Sequence, residues 1–454
     1  MKRFFIATLL LLATQLCQAA EAELVPNAAA RQSFINHLAR LVGNNYVFVD
    51  IAKQISSHLK NQQALGYFDQ FHSKQDFAKA LTAQLRSING DLHLNVKALA
   101  SDGEDESVEA FFNELLTNDQ RNRRQFHGFN DVQNLDNGVG YLSLSYFRTS
   151  AIELADNYMK LLETADAIII DLRDNKGGTG EMVDYLARHF FDKTFHTSNT
   201  IGRNGKPSKN WLNPQVNGIN RPDVPLFILV NNRTASGAEG LSYLMQNTQR
   251  ATIIGETTIG AAHSGGTWYF DGFSVFVANE AHISAITGKD WEGTGVIPDI
   301  KTTDDKSYAA ALELATVAAA EFRHNKQKAV KTQFAELQTL LKKQPEARRI
   351  HQIISQLSAK KLLNEAAINT LGYNYVNHKN TQAAEQVFKS NTLLFAQSAN
   401  AFDSYGEVLE INGKLAESVA NYQQSVDLAQ AQNSGNLKLH QMSLARVKAK
   451  LSKQ

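Results

Sequence analysis

The sequence predicts an α/β domain placed between two helical regions. Two runs, Ala167–Leu172 and Pro225–Val230, are continuously apolar but for Asp171, as strands covered on both faces of a parallel sheet are. Segments with a helical repeat follow them, Glu181–Phe191 and Gly237–Gln246, so strand, turn and helix alternate. On either side of residues 125–305 the apolar residues recur instead at helical spacing.

The elements follow in chain order. Lys2 and Arg3 precede an apolar stretch, Phe4–Leu16, and the small residues Ala19, Ala20 and Ala22, the pattern of an export signal over residues 1–20. The stretch is shorter than the roughly 20 apolar residues of a membrane span, so the expected product is exported, periplasmic or secreted. Cys17 is the single cysteine. Cleavage after Ala19 or Ala20 removes it, and with it disulfides, thiolate catalysis and cysteine-ligated metals.

Residues 30–98 read as an N-terminal helical domain, with Phe34, Leu38 and Leu41, then Ile51, Ile55 and Leu59, then Phe77, Leu81 and Leu85 on successive helical faces. Ser73 and Asp76 form an N-cap pair for the last helix. Gly138–Phe147 alternates as a half-buried strand, and Ala251–Ile254 is a further short one.

Residues 325–454 are helical and charge-laced. Gly372 recurs as Gly406, Ala384 as Ser418 and Phe388 as Tyr422, a period of 34. A small residue where paired helices touch, with an aromatic four positions later, is the tetratricopeptide pattern. Two copies span 365–432, with a capping helix from 436. Such repeats present a surface to a peptide or partner protein; a plain helical extension is the alternative.

Of 454 residues, 46 are basic and 45 acidic. That length implies two or three units. Loss of the first twenty residues leaves 44 basic side chains against 45 acidic, which argues against nucleic acid or an anionic membrane as the main partner.

Four short runs carry candidate chemistry. Ser236, in Asn231-Asn232-Arg233-Thr234-Ala235-Ser236-Gly237-Ala238-Glu239, sits between a buried strand and a helix. Its hydroxyl is then at the carboxyl edge of the sheet, beside the free N–H groups of a helix N-terminus. Ser236 and Glu239 equally make a capping box. Asp171-Leu172-Arg173-Asp174-Asn175-Lys176-Gly177-Gly178 leads from a strand into a glycine turn whose N–H groups suit an oxyanion, or into an ordinary βα turn. Gly90-Asp91-Leu92-His93-Leu94-Asn95 holds a histidine that fits a general base or a structural role. Trp291-Glu292-Gly293-Thr294-Gly295-Val296-Ile297-Pro298-Asp299 places a glutamate among turn residues. No Gly-x-Ser-x-Gly, His-Glu-x-x-His, phosphate loop or dinucleotide fingerprint is present, so neither a metal nor a nucleotide cofactor is expected.

Taken together, and in this order with Gly138-Val139-Gly140-Tyr141-Leu142 and Gly255-Glu256-Thr257-Thr258, these runs resemble the tail-specific (C-terminal processing) serine peptidases. The branch most similar includes the tricorn core protease and the modules of interphotoreceptor retinoid-binding protein, and the resemblance covers about residues 30–302. It implies a crotonase- or Clp-protease-like spiral fold for residues 125–305. It further implies Ser236 as nucleophile, His93 as base, Glu292 as the acid orienting the imidazole, and Gly177, Gly178 and Gly237 as the oxyanion hole. The relatives with a Ser–Lys dyad carry lysine where Ala261 stands after Gly255-Glu256-Thr257-Thr258-Ile259-Gly260, so that mechanism is closed to this chain. His263, two residues on, is the second choice of base. The interval from His93 to Gly138 is too short for a PDZ-like domain. The same fold also carries apolar ligands without catalysis, so a binding protein and a repeat-based scaffold are the alternatives. The joint presence of serine, histidine and glutamate favours the enzyme, with a protein or peptide as substrate.

Overall fold

The structure, a computed structural model, describes residues 27–453 except 100–111, 113–114, 118–119, 121–125, 204 and 343–345. The expected export signal lies outside the described residues, as does much of the interval expected to lack a PDZ-like domain. The chain divides into two compact units, the first ending at Phe322 and the second running from Arg323 to Gln454.

The first unit holds a six-stranded sheet. Its strands are β2 (Phe129–Asn134), β3 (Val139–Leu144), β4 (Ala167–Asp171), β7 (Leu226–Val230), β8 (Thr252–Gly255) and β11 (Ile300–Lys301), in the order β11-β8-β7-β4-β3-β2. All neighbours are parallel except β2 with β3. Alternate residues point to opposite faces, and both faces are covered. Leu142, Ile168, Ile170, Ile228 and Ile253 pack with residues of the helices Ile152–Leu161, Gly180–Arg188 and Gly237–Asn247. Val139, Ile169, Leu229 and Ile254 pack on Ala311, Ala315 and Ala319, spaced four apart on the helix Asp304–Lys342. This double burial is why β7 is apolar at every position and β4 at every position before Asp171.

A second, antiparallel sheet has the order β1-β10-β5-β6, with β9 added beside β10. Here β1 is Asn95–Ala98, β5 Phe195–Gly202, β6 Pro207–Leu212, β9 Ser264–Phe270 and β10 Phe273–Ser284. The helices Ala28–Asn45, Val49–Ala64 and Lys74–Arg86 lie on it: Phe34, Leu38, Phe77 and Leu81 share one core with Phe273, Val275 and Val277. The region expected to be helical over 30–98 thus carries helices to Arg86 and ends in the strand β1, and it shares its core with the antiparallel sheet. Ser73 caps its helix through Asp76 N at 3.1 Å.

The second unit contains antiparallel helix pairs offset by 34 residues, Glu365–Asn377 with Thr381–Leu394 and Ala399–Ile411 with Leu415–Ala431, followed by Leu437–Leu451. Gly372 lets the Phe388 ring approach: a Cβ there would lie 2.5 Å from it. Gly406 does the same for Tyr422 at 3.0 Å. No helix among the described residues is long and apolar enough to cross a membrane.

Candidate active site

Two turns at the carboxyl ends of adjacent parallel strands are stitched together. After β7, Asn231 N–H donates to Thr234 Oγ1 at 3.0 Å, and Thr234 Oγ1 donates to Leu172 O at 2.9 Å. After β4, Asn175 O accepts from Ala235 N at 3.0 Å. Ser236 ends the second turn with φ 53° and ψ −121°, a region open to glycine and strained for any residue with a Cβ. Such strain persists only where surrounding bonds hold it, here the Glu239 carboxylate accepting from Ser236 N at 2.7 Å.

The paired glycines face this turn. A Cβ on Gly177 would stand 2.7 Å from both Ser236 Cβ and Gly237 N, and one on Gly178 2.0 Å from Phe147 O. Gly177 N–H donates to Asn175 Oδ1 at 2.8 Å. This removes Gly177 from the expected oxyanion donors, because its one N–H is already engaged; what it supplies is room. Among the described residues, Gly178 N–H and Gly237 N–H have no acceptor, and the two residues are packed against each other. They remain available to an oxyanion.

Glu239 reaches further than a helix cap. Its fully buried carboxylate also accepts from Thr258 Oγ1 at 2.5 Å, Gly260 N at 2.6 Å and Ala261 N at 2.9 Å. Burial pushes its pKa up against the pull of these donors. The loop so anchored continues to Ala262, whose N–H donates to Glu292 Oε2 at 2.6 Å, while Glu292 Oε1 accepts from Leu92 N at 3.3 Å. One chain of hydrogen bonds thus runs from the Ser236 turn to the Asp91–His93 segment.

Around His263 three carboxylates gather. Nδ1 lies 2.8 Å from Asp91 Oδ2 and 3.6 Å from Glu292 Oε2, and Nε2 lies 3.6 Å from Asp290 Oδ2. Burial opposes a charge on this ring, but Asp290, Asp91 and Glu292 outweigh it and raise its pKa to about 10. For Asp91 burial is likewise outweighed, by His263, Tyr46 and the His93 N–H, and its carboxyl is held below the usual range. Burial, and then the Asp91 charge, push Glu292 up.

His93 is different. Its N–H is fixed by Asp91 Oδ1 at 2.9 Å, its ring centre is 5.7 Å from that of Phe276, and its buried Nδ1 has no partner. Burial lowers its pKa, with the His263 and Arg86 charges adding to the effect and Asp91 opposing it. Among the described residues no hydrogen bond joins the Ser236 hydroxyl to His93 or His263, or the His93 ring to Glu292.

Donor atoms of Asp91, His263 and Glu292 lie within 4.8 Å of one another, a spacing that could hold a metal ion. Each is already satisfied by protein partners, and a protonated His263 supplies the positive charge that an ion would bring. Sequence reasoning gave Asp91 and Asp290 no role and read Glu239 only as a cap. The Asp91 signal was its place two residues before His93.

Residues 138–302 match peptidase family S41, and residues 20–124 match the N-terminal domain of that family as found in eukaryotic IRBP. The carboxyl-terminal-processing protease of Synechocystis is 30% identical over 192 residues, covering 39% of this chain and 44% of the relative. Carboxyl-terminal-processing peptidase 1, chloroplastic, of Arabidopsis thaliana is 30% identical over 176 residues, covering 37% and 35%. The chain thus spans less than half the length of these curated relatives. Among solved structures, a photosystem II D1 C-terminal processing protease aligns with TM-score 0.40 and 15% identity over 63% of this chain and 98% of the other. The tricorn protease aligns with TM-score 0.44 and 13% identity over 66% and 37%. On the sequence matches, residues 138–302 are a peptidase domain of family S41 and residues 20–124 are that family's N-terminal domain.

Proposed function

We infer that this chain is a serine peptidase of the carboxyl-terminal-processing kind, cleaving peptide bonds through an acyl-enzyme on Ser236. The observation that carries the reading is the strained Ser236 turn, φ 53°, packed against Gly177, with Gly178 lying against Gly237. A hydroxyl is thereby presented beside two N–H groups suited to a tetrahedral oxyanion. His93 is the base. A base needs a nitrogen lone pair; both nitrogens of His263 face carboxylates, whereas His93 Nδ1 is bare. Glu292 acts on this base through Leu92 N–H, which it holds at 3.3 Å. As His93 takes the Ser236 proton, the hydroxyl attacks the substrate carbonyl. His93 then returns the proton to the leaving amine, and water releases the acyl group. Hydrogen bonds of such sets tighten on substrate binding, so contact between Ser236 and His93 belongs to the substrate complex.

The sheet and helix order is consistent with the spiral crotonase-like arrangement. The 34-residue offset, with Gly372 on Phe388 and Gly406 on Tyr422, supports tetratricopeptide repeats that receive a peptide or partner protein. The Lys2–Ala22 pattern supports export. Ser236→Ala is expected to abolish covalent labelling by a fluorophosphonate probe in the full chain. Labelling at the native rate would move the nucleophile elsewhere and leave the binding-protein reading standing.

A further inference from the structure

The His263 cluster lies beside the catalytic set proposed above but has no part in the proton transfers. We propose that His263 is a fixed imidazolium whose contacts hold Asp91 and Glu292 as carboxylates, so that the Asp91–Leu92–His93 segment presents the His93 ring to Ser236. His263 is a positioning residue for the base and takes no proton from substrate or nucleophile. The proposal rests on the assignment of Ser236 and His93 as nucleophile and base.

The argument is one of donors and acceptors. Asp91 has its Oδ1 on His93 N–H and its Oδ2 on both Tyr46 OH, at 2.8 Å, and His263 Nδ1. Glu292 accepts from Leu92 N, Ala262 N and His263 N. A proton on either acid would set donor against donor and release the backbone that carries His93. Yet Asp91 is fully buried, Glu292 is a second acid beside it, and Asp290 is a third at the other ring nitrogen of His263. Desolvated carboxylates this close cannot all stay ionised without a positive partner. His263, 4% exposed, touches all three.

No other described cation takes that place. Arg86 donates to Leu92 O at 2.5 Å and Leu94 O at 2.8 Å, bracing the same segment from its carbonyl side. The remaining titratable groups facing the cluster are Tyr46 and His93, together with His282 from β10, which has Glu280 beside it. Burial lowers the His282 pKa, so it brings no competing charge. Phe48 closes the His263 ring on its edge at 5.3 Å.

The test uses the full chain and four variants: Ser236→Ala, His93→Gln, His263→Gln and His263→Lys. Fluorophosphonate labelling rates are measured from pH 5 to 9. His263→Gln is expected to lose roughly 10²-fold in rate, as a misplaced base does. Its acid limb should move to higher pH, because Asp91 and Glu292 without their counter-charge protonate more readily. His263→Lys restores the charge and should recover part of the rate and return the acid limb towards its native position. A folded His263→Gln variant with native rate and acid limb overturns the proposal, while loss of labelling in Ser236→Ala and His93→Gln keeps the peptidase reading. Persistent labelling of Ser236→Ala removes that reading itself. A measurement independent of activity covers failure of a variant to fold. Histidine-selective nitrogen-15 NMR of the native protein should show one ring still an imidazolium at pH 8.5, absent from the His263→Lys spectrum. A neutral His263 ring at pH 7 refutes the idea.

Discussion

Replacing Ser236 by glycine and, in parallel, by alanine separates the conformation of residue 236 from its chemistry. Both variants lack the hydroxyl; only alanine keeps a Cβ at φ 53° and ψ −121°. A non-glycine residue held in such a region is strained by about 1–3 kcal/mol. Glycine removes that strain but returns about 0.4–1 kcal/mol through the greater freedom of the unfolded chain. Ser236→Gly should therefore be more stable than Ser236→Ala by about 1 kcal/mol, or roughly 2 °C in melting temperature for a unit of this size. The assay is convenient because Trp211, Trp268 and Trp291 are the only three tryptophans and all lie in the first unit. Tryptophan fluorescence in urea thus follows that unit's unfolding without signal from the second. A glycine variant equal to or less stable than the alanine variant would show that the turn is not strained, and the case for a specially presented hydroxyl would lose its main support.

Two further outcomes concern stability. The folded pKa of His263 is raised to about 10 from 6.5, so its contribution is fully present below pH 6.5 and fades as pH rises towards 10. The stability difference between the native protein and His263→Gln, read from urea midpoints at pH 6, 8 and 10, should shrink by at most about 1.4 kcal/mol per pH unit; a difference that grows with pH contradicts the assigned charge. In the second unit, Gly372→Val should lower the unfolding transition seen by far-ultraviolet circular dichroism, since its Cβ meets the Phe388 ring at 2.5 Å and that ring is fully buried. The expected loss is about 1–3 kcal/mol, and an unchanged transition would mean that Gly372 is not a packing position.

What could be read along the chain was whatever is local. Ala167–Leu172 and Pro225–Val230 announced central parallel strands because burial on both faces leaves almost no polar position, Asp171 at the end of its strand being the exception. The strand, turn and helix around Ser236 were visible as one short run, and the 34-residue offset of Gly372 with Gly406 needed only counting. The second sheet left no such trace. Phe195–Gly202 is half-buried along its whole length, so it shows no alternation, and β1 pairs with a strand far along the chain, Asn95 opposite Phe276. The site divides in the same way. The sequence by itself determined that a serine ends a strand–turn–helix unit near paired glycines, and that two histidines were candidates for its base. Only the tertiary structure decided between their environments. It brings Asp91, Asp290 and Glu292 onto His263 and leaves His93 Nδ1 bare. A histidine's charge is set by how many carboxylates reach it through space, and residues 91, 263 and 290 meet only when the N-terminal helices pack on the antiparallel sheet.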